Sequence, residues 1–359
     1  MDASKNTAPQ PTKVKRESKN RIRVDFDRTP LWTRIKLRIC STYFWTNIVW
    51  YIFRLLLMIG ISYVILFPFI SKIAGSFMSP SDFVDPVVRV IPKNFTFDTY
   101  RYIFLENNYM MAFVDTLLLS LICALTQTLV SCLVGYGLAK FKFKGNKIIF
   151  FLVILTMIIP HGTVKLSMMM HFRYFDLGGV QGWNIPGLLQ LFTGGALSGN
   201  KLPNLMNTFW PLIILSVTGL AFKNGLYVFL MRQFFRGVPD ELEEAAYVDG
   251  SGVFRTFFQI ILPMAIPMMI TIFLFSFSWQ WTDDFYTTLF FTNDSIPLMP
   301  DVINIPASLK TAASYAAQTL YYTAIENTCG IMIILPLVIV YLFCQKYLVQ
   351  GIERSGLVG

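Results

Sequence analysis

Charge is scarce in this sequence: only 14% of its 359 residues are Asp, Glu, Lys or Arg, against 54% hydrophobic. Soluble domains carry nearer a quarter of charged residues, so a soluble globular enzyme is a poor fit. Histidine is nearly absent, with two residues, and the five cysteines lie in or beside apolar runs without a Cys-x-x-Cys pair. That pattern argues against a zinc site or a disulfide framework and leaves the cysteines as small apolar packing residues. Nothing reads as a nucleophile elbow, a Walker loop or a metal cluster, so no catalytic residues and no metal ligands are expected. The N-terminus has no apolar core with a small-residue cleavage site, so the first apolar run is expected to act as an uncleaved insertion signal.

What is present is length in the apolar runs. A bilayer requires about 20 consecutive apolar residues per helix, and several runs here reach that. Six candidate spans lie at about 48–72, 112–139, 148–170, 209–235, 264–291 and 323–345. The third is interrupted by Pro160 and His161, and the sixth contains Pro336. Proline in a span frees a backbone carbonyl that another group must satisfy. Residues 1–30 read as a basic flexible cytoplasmic tail. Residues 31–47 carry Trp32, Ile35, Ile39 and Tyr43 at helical spacing among Arg34 and Arg38. This suits an interfacial amphipathic helix on anionic membrane lipids, with a non-specific basic linker as the other reading. The domain expectation is then a six-helix transmembrane domain over 48–345, with a cytoplasmic loop at 236–263 and a cytoplasmic C-terminal tail at 346–359.

The net charge of +9 is not a nucleic-acid signature. Eleven Lys and Arg precede Asn47 without any nucleic-acid-binding motif, and basic residues beside a first span are orientation signals. The link carrying Lys140, Lys142, Lys144 and Lys147, and the loop with Arg236 and Arg255, share that side. The opposite loops carry Asp82, Asp85, Asp98, Glu106, Asp294 and Asp301. The positive-inside rule therefore places both termini in the cytoplasm, which an even number of spans satisfies.

The segment from Arg236 to Pro263 has its own logic. Pro239 suits a first helical turn, and Asp240 and Glu241 suit a positive helix N-terminus. Leu242, Ala245, Ala246 and Val248 offer a small apolar face, and Gly250 suits a left-handed helix end. A second short helix is expected over about 253–261, before Pro263 opens the fifth span. The order Glu244-Ala245-Ala246, three residues, Gly250, nine residues, Ile260-Ile261-Leu262-Pro263 resembles the EAA motif of bacterial binding-protein-dependent ABC importer permeases. Phe234 to Pro239 and Ala139 to Gly145 resemble that family's flanking segments. The tail from Gln345 to Gly351, ending Gly356-Leu357-Val358-Gly359, resembles the maltose-type sugar permeases, with Val358 where their tail usually carries lysine. Two departures are a long N-terminal extension and a long loop at about 176–207.

The resemblance implies an all-α membrane protein with six transmembrane helices, the type I ABC importer permease fold and both termini cytoplasmic. It implies a non-catalytic transport subunit that pairs with a second permease as a heterodimer. Two ABC ATPase subunits would carry the ATP and Mg, leaving no cofactor on this chain, and an extracytoplasmic solute-binding protein would deliver a carbohydrate. Glu243, Glu244, Ala245, Ala246, Asp249 and Gly250 would form the ATPase-docking residues, with Glu244 the contact and Gly250 the turn.

The fifth span holds Trp279, Trp281, Asp283, Asp284 and Tyr286, a segment that resembles the tryptophan-then-acid stretch of sugar permeases. Aromatic faces stack on sugar rings and carboxylates accept from hydroxyls, which suits a substrate path. An aromatic interface belt with both acids already in the outer loop is the equal reading. His161 has no acid close in sequence and reads as a packed neutral histidine. Two rival functions stay in view. An ion-coupled secondary solute carrier is poorly served by so few acids within the spans. A membrane enzyme acting on lipid-linked sugars would use Asp283 and Asp284.

Overall fold

A computed structural model describes residues 32, 42–175, 204–221, 223–293, 295–310 and 318–354. The expected tail over 1–30, nearly all of the interfacial helix expected over 31–47, most of the long 176–207 loop and residues 355–359 lie outside them. Asp294 lies outside them as well. The described chain is helical apart from loops and one isolated antiparallel bridge, Met78 to Phe95.

Helix α1, Thr42–Gly75, contains the division between two compact units at Phe67 and Pro68. From Trp45 to Phe67, within the first unit, apolar side chains are exposed along the helix, and Arg54 is the one charged residue among them. A helix apolar all round has no aqueous face to offer and suits lipid.

The second unit is built around α3 (Tyr109–Lys140), after the short α2 (Asp98–Glu106). Around α3 pack α6 (Trp210–Val217), α7 (Asn224–Arg236) and α9 (Val253–Trp281), and α9 packs in turn on α11 (Gln318–Arg354). The helices α4 (Asn146–Ile158), α5 (His161–Arg173), α8 (Glu241–Val248) and α10 (Phe285–Phe290), with a 3₁₀ turn at Met299–Val302 and a single helical turn at Ala307–Lys310, complete the described set. With no hydrophobic effect to drive helices together in lipid, close approach depends on small residues. Gly135 is one: a Cβ there would lie 2.6 Å from the Met231 Cβ, so α3 and α7 meet backbone to backbone. Gly225 serves α4 and α7 likewise, where a Cβ would lie 2.5 Å from Thr156 Oγ1.

The expected spans survive unevenly. Four helices are long and apolar enough to cross a membrane, or five if α4 and α5 count as one broken span. Those two meet at 101°. The cause is Pro160, whose ring drives Ile159 into an extended conformation and ends α4 at Ile158. The expected span over 209–235 is two helices, because left-handed Gly219 and Lys223 interrupt it. The expected break at Pro263 does not occur. A π turn over Phe257–Ile261, closed by Leu262 N–H donating to the Phe257 carbonyl, carries the helix past the proline. The span thus runs from Val253 to Trp281, starting and ending earlier than the expected 264–291.

At Pro336 the helix also continues, and the carbonyl it frees, with the one after it, accepts from a neighbouring helix. Tyr109 Oη donates to the Met332 carbonyl, four residues before the proline, at 3.0 Å, and Trp281 Nε1 donates to the Ile333 carbonyl at 3.0 Å. Both bonds tie neighbouring helices to α11 where its own ladder is interrupted.

Candidate functional site

The loop between α7 and α9 is clamped to the end of α3. Lys140, its side chain almost fully buried, donates from Nζ to the Val238 carbonyl at 2.6 Å and to the Asp240 carboxylate. Glu243 Oε1 lies 3.9 Å from the same nitrogen. Beneath the clamp Tyr136 packs edge-on to Phe235 and against Phe257, within a core that includes Val238. The helix α8 starts at Glu241, with Asp240 at its N-cap position turning its carboxylate to Lys140 rather than to the first-turn N–H groups. The helix ends in a Schellman pair, with Ser251 N–H donating to the Ala246 carbonyl and Gly250 N–H to the Tyr247 carbonyl. Gly250 supplies the required left-handed turn, at φ +81°.

Burial divides the six expected docking residues. Glu243 and Ala246 face inward, against the clamp. Glu244, Ala245, Asp249 and Gly250 face outward. The apolar face read from sequence is divided too, since Ala246 is buried while Leu242, Ala245 and Val248 form an exposed strip at a three-residue spacing. Val248 is 87% exposed and Phe254, on the first turn of α9, 80%. Acids flank the strip at Glu241, Glu244 and Asp249.

The two clamp carboxylates titrate in opposite directions. The Lys140 hydrogen bond, and then its charge, hold Asp240 below the usual carboxylate range. Glu243 is pushed up by its removal from water and further by Asp240, with Lys140 opposing.

At the other end of α9 lies a small polar pocket lined by Gln127, Ser276, Trp279, Gln280, Asp283 and Tyr286, with Leu212 and Ala221. Here the five expected path residues separate by role. Trp281 is buried and committed to α11. Asp283 accepts from the N–H groups of Tyr286 and Thr287 at 3.0 and 3.1 Å, so it caps α10 while it lines the pocket. Tyr286 is buried with its ring stacked on Phe290. Trp279 is half exposed, with the Lys223 ammonium 4.8 Å from its ring centre. Asp284 is exposed. His161, read as a packed neutral residue, is partly exposed at the start of α5.

Sequence reasoning missed Gln127, Ser276 and Gln280. Gln127 donates to Ser216 Oγ at 3.0 Å and accepts from Ser276 Oγ at 2.8 Å, joining α3, α6 and α9 in one buried network. The available signal was a lone Gln within the apolar run 112–139.

Comparison with known proteins gives this geometry a family. Residues 127–354 match the family described as binding-protein-dependent transport system inner membrane component. The polygalacturonan/rhamnogalacturonan transport permease of Bacillus subtilis (strain 168) is 25% identical over 291 residues, covering 79% of this chain and 89% of that protein. The maltodextrin transport permease of Streptococcus pneumoniae is 27% identical over 305 residues, covering 84% and 93%. A crystal structure of a bacterial ABC transporter involved in import of the acidic polysaccharide alginate contains a chain with a TM-score of 0.64 and 19% identity. The match covers 84% of this chain and 97% of that one. Membership implies a membrane-embedded, non-catalytic transport subunit that works with a partner permease, an ATPase and a solute-binding protein. The match spans well over half the sequence, and the chain belongs to the binding-protein-dependent transport system inner membrane component family.

Proposed function

We propose that this chain forms half of the translocation pathway of an ATP-driven carbohydrate importer, with an oligosaccharide as its cargo. The carbohydrate names borne by its relatives support that cargo. In this reading the chain has six spans with both termini cytoplasmic and pairs with a different permease. Two ATPase subunits carrying ATP and Mg sit beneath the pair, and an extracytoplasmic protein delivers the solute.

The observation that carries the docking assignment is the exposed strip of Leu242, Ala245 and Val248 on a helix clamped from behind by Lys140. A partner cleft can accept small side chains closely, and Glu244 stands at the edge to meet a cation. Movement of the ATPase pair would pull on α8. The continuous helix from Val253 to Trp281, about 43 Å long at 1.5 Å per residue, would carry that pull to the pocket at its far end. Trp279 and Asp284 are the exposed groups there, and they suit a sugar face and its hydroxyls.

The test is assembly. Glu244→Ala and Gly250→Pro should each abolish most co-purification of the ATPase subunit while leaving membrane insertion intact. Normal co-purification with both variants sinks the docking assignment. For the cargo, binding protein loaded with galactooligosaccharide or maltodextrin should stimulate ATPase activity of the reconstituted complex. Stimulation by neither sugar, alongside robust stimulation by a non-carbohydrate solute, overturns the carbohydrate reading.

A further inference from the structure

The strongest unassigned feature is a basic cleft beside the clamp. Lys142, Lys144, Lys147, Arg232 and Arg236 line an open space of about 810 Å³ where α3 ends, α4 begins and α7 ends. No carboxylate among the described residues lies within ion-pair distance of any of the five. Asp240 reaches Lys142 only at longer range, and Lys140 already holds it. The N-terminus of α4 adds the positive end of a helix dipole. Arg232 is fixed in place, with its guanidinium 3.8 Å from the Phe150 ring centre and its Nε donating to the Leu138 carbonyl at 3.4 Å.

Three observations point to the occupant. The cleft lies at the end of α3, a helix long and apolar enough to cross a membrane, and at the start of α4, half of a bent pair that passes the same test, a position that suits headgroup depth. Its charge is uncompensated and positive. From its edge an exposed apolar strip of Ile148, Phe151 and Leu152 runs down α4, at the spacing of one helix face. A phosphate above and an acyl chain along that strip fit this arrangement together, and basic pockets between helices on the cytoplasmic side take anionic headgroups.

We propose that this cleft seats the phosphate of an anionic glycerophospholipid from the cytoplasmic leaflet, one acyl chain lying along α4. The inference rests on the sidedness adopted above. Labelling of Lys144→Cys by a membrane-impermeant maleimide, judged against the parent chain in intact and opened cells, checks that sidedness separately.

The direct test uses the assembled transporter reconstituted in phosphatidylcholine vesicles with minor phosphatidylglycerol, extracted mildly and read by native mass spectrometry. The parent complex should retain phosphatidylglycerol. The triple variant Lys142→Gln, Lys144→Gln, Lys147→Gln should retain on the order of a hundredfold less, since each basic residue near a surface contributes roughly 1 kcal/mol. If the triple variant fails to assemble, Lys144→Gln alone should lose about fivefold. A charge-matched control, Arg89→Gln, Arg101→Gln, Lys310→Gln, should retain the lipid. Unchanged retention in the Lys variants overturns the proposal, as does equal loss in the control. Full displacement by inorganic phosphate would assign the cleft to a free anion instead. Loss of the ATPase subunit with lipid retained would assign it to a protein contact.

Discussion

The two ends of α9 are held in opposite ways. At Val253 the approach is an ionic clamp, one buried ammonium shared by a carbonyl and two carboxylates, with an exposed strip beyond it. At Trp281 the exit is tied by neutral hydrogen bonds in a buried setting, from Trp281 to Ile333 and through Gln127 to Ser216 and Ser276. The exposed Asp240 carboxylate can exchange partners with water during a cycle, whereas a buried neutral network is costly to open. The difference fits a lever whose driven end is adjustable and whose far end is fixed to its neighbours.

The largest break in that comparison should come from Lys140→Met. It leaves the Val238 carbonyl and the Asp240 carboxylate without their donor and removes the charge that faces Glu243, a loss on the order of 2 kcal/mol concentrated in the loop. ATPase affinity, read by titrated co-purification, should fall at least about tenfold. A melting temperature near that of the parent would show that the loss is local to the loop. Unchanged affinity would remove the clamp from the mechanism.

Next is Gly250→Ala. The space around that Cα is open, so no side chain collides and only the positive φ is penalised, by about 1–2 kcal/mol. The cost should appear as weaker ATPase binding. Gly250→Asn, which tolerates the left-handed region better, should recover part of it; no difference between the two would show that the turn conformation is not what matters.

At the far end, Trp281→Phe keeps most of the ring but deletes the donor to the Ile333 carbonyl, next to the Met332 carbonyl that Pro336 leaves without its helical partner. About 1 kcal/mol of stability should be lost, seen as a lower melting temperature in detergent, with ATPase co-purification unaffected. An effect on docking instead would mean that the two ends are not separable.

How much of this was legible beforehand follows the same division. The loop reads well because its signals are local: Asp240 beside Pro239, Gly250 at the helix end, and the fixed spacing to Pro263. Its inner face did not, because Lys140 lies about a hundred residues away in sequence and nothing local shows that Glu243 and Ala246 turn toward it. The pocket reads poorly for the same reason. Trp281 and Tyr286 look like ligands until α11 and α10 are in place around them. The six-run hydropathy pattern was clear, yet it carries no information on whether a proline bends a path, as Pro160 does, or is absorbed, as Pro263 is by the π turn.

The smallest expected effect is a pH dependence inside the clamp. Asp240 has its pKa lowered from 3.8, so its contribution to stability is present above that value and is lost as pH falls through the folded value. Glu243 has its pKa raised from 4.5, so the opposite holds: stability is greatest below 4.5 and declines as pH rises through the folded value. At neutral pH Asp240 is thus a net contributor and Glu243 a net cost. Glu243→Gln should flatten the decline above pH 4.5 and raise the melting temperature slightly at pH 7, by less than about 1 kcal/mol in stability. Asp240→Asn should lower it. If Glu243→Gln lowers the neutral-pH melting temperature as well, then the attraction of Lys140 outweighs the loss of water around Glu243, and the clamp works as a true three-member ion cluster.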